Sequence, residues 1–324
     1  MFLQCTFHLA LVIDSKKFTK LFDSVYSTLE YVDENRYADY ELASEGITVL
    51  YQDSQYKKKI KLIVNPCRLL DTNKPDPEKL TRKLEKRVSS YFNGTYQLDD
   101  FDLTGMALTT DIDIRSRDKV SDYMKVVQRV GKVKGFSPSQ GNWFDDDICF
   151  SLDGNSNGIK FLLYDLEAAF SEHASDEYFN IGQKLVPDDC EGLLRAEVIL
   201  MKSKAIQGYT DKSSVSKQIA ELHDKRQQIF FETFLRVVPF GNFYKKGKAE
   251  EIIRAKVKYD TLRRKMLRLV ELLPDKKSLL LAQKALNYRR IDKVMKAFFD
   301  IEVAPITISK RHDIKKLDNL YNYL

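Results

Sequence analysis

The chain has 324 residues, 43% of them hydrophobic and 31% charged, enough apolar material for a sizeable core and roughly two domains. The longest apolar run, 9–13, is far shorter than the ~20 residues a membrane span needs, and no basic stretch or small-residue cleavage site marks the N-terminus. A cytoplasmic protein without a membrane partner is therefore expected. Four scattered cysteines and four scattered histidines form no CxxC or His-x-His pattern. That argues against structural zinc and histidine-held metals, and leaves oxygen ligands for any ion.

The net charge of +6 is unevenly spread. Residues 211–324 carry 26 Lys and Arg against 14 Asp and Glu, a net +12, and residues 1–210 carry 27 against 33, a net −6. A basic tail on an acidic main part points to a polyanion partner, with nucleic acid the leading candidate.

In chain order, Leu3–Ile13 predicts a strand, and Ser15–Leu29 a helix with Phe18, Leu21, Phe22 and Val25 at helical spacing. Tyr40–Tyr51 and Lys57–Val64 predict strands around a short loop, Gln52–Tyr56. After Pro75 and Pro77 comes a charged amphipathic helix, Glu78–Tyr91. Leu103–Ile114 then predicts a strand, Ser116 caps a helix reaching about Val130, and Asp147–Leu152 with Ile159–Leu166 forms a hairpin across a Gly- and Asn-rich turn. Leu193–Met201 adds a last strand. Both halves read strand, helix, strand, strand. The expectation is an α+β fold (1–207) of duplicated units around a mainly antiparallel sheet, followed by an all-α basic C-terminal domain (212–324).

In that second domain Val215–Val237, Lys248–Leu273, Lys277–Leu286 and Arg289–Phe299 have helical patterns, the last two joined by Asn287-Tyr288 as in a helix-turn-helix. Lys245, Lys246, Lys248, Arg263, Arg264, Arg289 and Arg290 are its candidate DNA-phosphate contacts.

Chemistry concentrates on three strands. Alternation along 107–114 puts Thr109, Asp111 and Asp113 on one face and Leu108, Ile112 and Ile114 on the other. Two aspartates on one strand face repel each other, which either a wet face or a bound Mg²⁺ or Mn²⁺ relieves. In 193–200, Arg195 and Glu197 share a face, so Glu197 has either a cation or Arg195 as partner. Tyr164, on the hairpin arm, is either a core tyrosine or a nucleophile whose phenol needs a nearby base or cation.

The ordered segments TTDIDI, DGNSNGIKFLLYDLEA and LLRAEVIL, followed by a basic helical tail, resemble the Rep_trans group of rolling-circle replication initiators over roughly residues 100–205. The resemblance implies a metal-dependent nicking site. Asp111, Asp113 and Glu197 would hold Mg²⁺ or Mn²⁺, Arg195 would stand beside the glutamate, and Tyr164 would attack DNA to give a 5′-phosphotyrosyl link and a free 3′-hydroxyl. It implies origin DNA, single-stranded or supercoiled, as partner and admits a helicase as another. Tyr123 and Tyr178 are alternative nucleophiles. The sequence departs from the family at Leu162 and Leu166, where an Arg and a Lys are usual. A non-catalytic DNA-binding protein on the same fold, serving copy control or partition, is the competing expectation. A nuclease acting through metal-activated water and an RNA-binding protein are further variants.

Overall fold

In the computed structural model, which describes residues 2–33, 35–55, 57–140, 144–173 and 189–324, the chain enters on a strand in which Cys5, Phe7 and Leu9 alternate with less buried neighbours. This strand, β1 (Gln4–Ile13), leads into α1 (Ser15–Val25), capped by the Asp14 carboxylate, which accepts the Lys17 N–H at 3.0 Å. Four strands follow: β2 (Glu30–Asp33), β3 (Arg36–Asp39), β4 (Ile47–Asp53) and β5 (Lys58–Val64). Helices α2 (Pro66–Leu70) and α3 (Pro77–Tyr91) end this half.

The second half begins with β6 (Asp102–Asp113) and α4 (Arg117–Val127), the helix capped by Ser116. Then come β7 (Phe136–Pro138), β8 (Cys149–Gly154), β9 (Ile159–Asp165), α5 (Leu166–His173) and β10 (Leu193–Leu200).

All ten strands form one sheet, in the order β2-β3-β4-β5-β1-β6-β10-β9-β8-β7, with every pairing antiparallel. The first strands of the two halves, β1 and β6, meet at its centre. On either side the last strand of the half lies against the central strand, and the others follow outward in reverse chain order. One sheet face buries Phe7, Leu9, Leu62, Leu108, Ile112, Leu194 and Val198 against α3, α4 and a long helix, α7 (Val215–Val237), which follows the short α6 (Ser203–Gln207). Burial of each such side chain stabilises the fold by roughly 1.5–3 kcal/mol before entropy is counted.

The remaining helices are α8 (Lys246–Lys256), α9 (Asp260–Lys276), α10 (Leu279–Ala285) and α11 (Ile291–Asp300). The buried cluster that begins on the sheet continues through them, taking in Phe234, Ile253, Met266, Val294 and Phe298. Two polar ties cross the same boundary: Tyr123 Oη donates to the Asp318 carbonyl at 2.8 Å, and Ser278 Oγ to the Lys132 carbonyl at 3.1 Å.

Several expected elements are drawn differently. The stretch 40–51 is not one strand: a 3-10 turn, Ala43–Glu45, and Gly46 in the left-handed region (φ 83°) precede β4. A Cβ at Gly46 would sit 2.8 Å from the Asn65 carbonyl, so the chain turns there on a glycine. The helix expected over 248–273 is two helices, α8 and α9. Val257 leaves the helical region (φ −94°, ψ 107°) and is buried, so core packing overrides helix continuation. The C-terminal part is also not purely α. There, β11 (Phe243–Tyr244) pairs with β12 (Lys316–Leu317), each too short to show alternation in sequence.

Candidate active site

Three adjacent strands carry the site. On β6, β10 and β9 a cross-strand row runs Asp111–Arg195–Tyr164, and the next row runs Thr109–Glu197–Leu162. Both rows lie on the face away from the main core, because Leu108, Ile112, Ala196 and Val198, at the alternate positions, point into it. Alternation in the sequence placed Asp111 apart from Leu108 and Ile112 and put Arg195 with Glu197; the register of β6 with β10 brings the two sets to one side.

Arg195 is 1% exposed and grips Asp111 with both arms of its guanidinium: Nε to Oδ1 at 2.6 Å and Nη2 to Oδ2 at 2.9 Å. A bidentate pair of this kind is the strong form of ion pair, and it leaves the buried guanidinium compensated. Burial opposes the arginine's charge, but Asp111, Tyr164 and Glu197 together hold its pKa above the ordinary value.

Tyr164, 2% exposed, donates its phenolic O–H to Glu197 Oε1 at 2.7 Å. Burial first, and the Glu197 charge next, push the phenol well above its usual pKa, with Arg195 pulling the other way. Burial also raises the Glu197 carboxyl, against the lowering effect of the Tyr164 hydrogen bond and of Arg195. The charge of Lys160, also on β9, likewise bears on Glu197. The result is a phenol with a carboxylate base within hydrogen-bond reach, which is the geometry general-base activation requires.

Leu162 and Leu166, where the resembling family has cations, are buried in a small apolar cluster with Phe144, Cys149, Tyr164, Ala169 and Cys190. The Phe144 ring lies over that of Tyr164, centroids 4.6 Å apart and tilted by 30°. Burial pushes the Cys149 thiol up to about 12, so it stays protonated. Phe144 had no signal in the sequence, since its contact with Tyr164 is set by tertiary packing. Asp165 acts as a cap: its side chain accepts the Ala168 N–H at 3.1 Å in the first turn of α5. Arg117, at the start of α4, holds Glu167 of α5 through Nε at 2.9 Å.

The expected metal set is not assembled. Asp113, its side chain 57% exposed, sits at the strand end and turns to Arg115, whose Nε is 3.5 Å away and whose N–H it accepts at 3.0 Å. Both Asp111 oxygens are taken by Arg195 and one Glu197 oxygen by Tyr164. Among the described residues no three Asp, Glu, His or Cys are grouped to hold an ion. A Mg²⁺ or Mn²⁺ on Asp111 would also face the Arg195 cation at contact distance, so these residues as arranged do not fit a divalent ion.

Of the other candidate nucleophiles, Tyr123 is buried on the opposite face with its hydroxyl bound to the Asp318 carbonyl, and Tyr178 lies outside the described residues.

The basic candidates of the C-terminal helices separate into two kinds. Lys245 Nζ is spent internally on the carbonyls of Lys310, at 3.3 Å, and His312. Lys246 pairs with Glu250 at 3.8 Å, Lys248 with Glu251 at 2.7 Å, and Arg263 and Arg264 with Asp260 at 2.7 and 2.9 Å. Arg289 and Arg290 are exposed in the turn between α10 and α11. An open cleft nearby is lined by Arg264, Lys265 and Arg268 of α9 and by Ala285 and Leu286. Lys265 also lies over the Tyr288 ring at 5.3 Å.

Among the described residues no helix is long and apolar enough to cross a membrane. No protein-family model and no curated protein matches the chain.

Proposed function

We propose that this chain is a DNA strand-cleaving protein of the rolling-circle initiator kind, with Tyr164 as nucleophile and Glu197 as its base. The observation that carries the reading is the 2.7 Å bond from the Tyr164 hydroxyl to Glu197, beside the Arg195–Asp111 pair. In the step proposed, Tyr164 Oη bonds to a backbone phosphorus and the P–O3′ bond breaks. The phenolic proton passes to Glu197 and from there to the departing 3′-oxygen, so no net proton is consumed. Lys160 supplies positive charge on the same side, and Arg195 keeps Asp111 from adding repulsion toward the phosphate. A phosphate reaches Tyr164 only if the Phe144 ring swings aside.

The duplicated-unit architecture belongs to the same reading. Across the sheet centre, β1, β5 and β4 pair in the same antiparallel way as β6, β10 and β9, for example in the row Ala10–Lys61–Leu50. The acid, base and phenol of the proposed step all lie in the second half, so the first is assigned to binding. The C-terminal helices then form the basic DNA-gripping region, through Arg264, Arg289 and Arg290 rather than Lys245.

The test is to incubate the protein with single-stranded and supercoiled DNA, with and without Mg²⁺ or Mn²⁺, and look for a denaturation-resistant protein–DNA adduct. An equal yield of adduct from Tyr164→Phe removes Tyr164 from the mechanism.

The burial of Tyr164 beneath Phe144 favours a second reading, in which the pair is structural and the protein binds DNA without cutting it. That reading predicts salt-sensitive binding with no adduct under any of these conditions.

A further inference from the structure

On the helix side of the sheet, away from the Tyr164 site, a cavity of about 410 Å³ opens between the end of α4, the C-terminal end of α9 and the segment before β12. It is lined by Lys125, Gln128, Arg129, Lys277, Ile306 and Thr307, among others. Three of these side chains are cations, and among the described lining residues none is acidic. The Nε–H of Arg129 is buried with no hydrogen-bond partner among the described residues. Burial lowers the Arg129 pKa, and no carboxylate among the described residues acts on it in compensation.

A buried N–H left unpaired is costly, and so is a guanidinium sheltered from water with two ammonium groups around the same hollow. One ligand relieves both. A phosphate group supplies several acceptor oxygens, and its charge offsets the three cations. The planar fork of an arginine matches it in two parallel hydrogen bonds. The cavity's size suits a small phosphorylated ligand or a single backbone phosphate with its flanking sugar.

We infer that Arg129, Lys125 and Lys277 form a phosphate-binding site, with the half-buried Arg129 as its anchor. The inference does not depend on Tyr164 chemistry. The same phosphate chemistry arises from a free phosphorylated molecule or from the backbone of a nucleic acid.

The experiment is calorimetry and thermal unfolding of the full chain with inorganic phosphate, pyrophosphate and a short oligothymidylate, each against chloride at matched ionic strength. Phosphate is expected to raise the wild-type melting temperature where chloride does not. Arg129→Gln is expected to weaken phosphate binding about tenfold or more, and to melt no lower than wild type in phosphate-free buffer because the cation that gains no partner there is gone. Lys125→Ala, at an exposed position, tests the same site if Arg129→Gln fails to fold, and is expected to weaken binding by a smaller factor. A wild-type response to phosphate no larger than to chloride overturns the site. So does an undiminished response in whichever variants fold. If oligothymidylate competes with phosphate and also loses affinity in Arg129→Gln, the source is a nucleic-acid backbone. If it does neither while pyrophosphate binds, the source is a small molecule.

Discussion

Tyr164 and Glu197 stand on neighbouring strands, one residue row apart, with the phenol donating to the carboxylate across 2.7 Å. Their roles follow from which one holds the proton. Burial keeps the phenol protonated and raises the carboxyl as well, and the phenolic proton points at the carboxylate that would accept it. If the pair is catalytic, Glu197→Gln leaves Tyr164 without a base, and the rate of adduct formation falls by roughly 10²–10⁴. Its pH profile also changes. Glu197 must be ionised to accept a proton, and its pKa lies above the ordinary 4.5, so wild-type activity should fall with acid at a pH above that value. Single-turnover rates across pH check this, and a Glu197→Gln profile that keeps the same acid limb assigns it to another group.

The Arg195–Asp111 pair makes a different prediction, about stability. Arg195 has almost no solvent access, whereas the Asp111 side chain is 31% exposed. Asp111→Asn leaves a buried guanidinium without its counter-charge and should cost about 2–4 kcal/mol. Replacing both residues, Asp111→Asn with Arg195→Met, should recover much of that loss, because the uncompensated charge is gone. Urea unfolding of the two single variants and the double variant measures the coupling. Simple additivity of the two single losses would show that the pair does not act as a unit.

Period-two alternation was enough to set Asp111 apart from Leu108 and Ile112, and Arg195 with Glu197 apart from Ala196 and Val198; the strand register then brings them to one face. The cap at Ser116 was readable for a similar local reason. What escaped depends on partners on other strands or beyond a strand's end. Arg195 was weighed as the neighbour of Glu197 along its own strand, yet it turns to Asp111 on β6, and Asp113 slips off the strand end to Arg115. Phe144 reaches Tyr164 only through the fold. The short strands β2, β3 and β7 exist because a neighbour offers them an edge, and three or four residues cannot announce that by pattern.

Acid should weaken the fold through His223. The ring is 2% exposed on α7, and burial first and Arg226 next lower its pKa from 6.5 to about 4. A depressed histidine pKa means that the unfolded chain takes up the proton first. This stabilising contribution is complete above pH 6.5 and is lost as the pH falls to about 4. The loss is on the order of 3 kcal/mol. His223→Gln should flatten the dependence of stability on pH in that window, and an unchanged slope would assign the acid response elsewhere.

Salt dependence separates the basic residues that face solvent from those the fold has used. Lys245 is tied to the carbonyls of Lys310 and His312, so Lys245→Ala should cost about 1–2 kcal/mol of stability and leave DNA affinity nearly unchanged. Among the described residues Arg289 and Arg290 have no such task, and they are exposed beside the cleft lined by Arg264, Lys265 and Arg268. If that surface grips duplex phosphates, the double variant Arg289→Ala with Arg290→Ala keeps wild-type stability. It should bind DNA more weakly and lower the slope of log affinity against log salt by about 2. Titrations at several salt concentrations give that slope directly. A slope that falls for Lys245→Ala and holds for the arginine pair would move the DNA surface to the other side of the C-terminal helices.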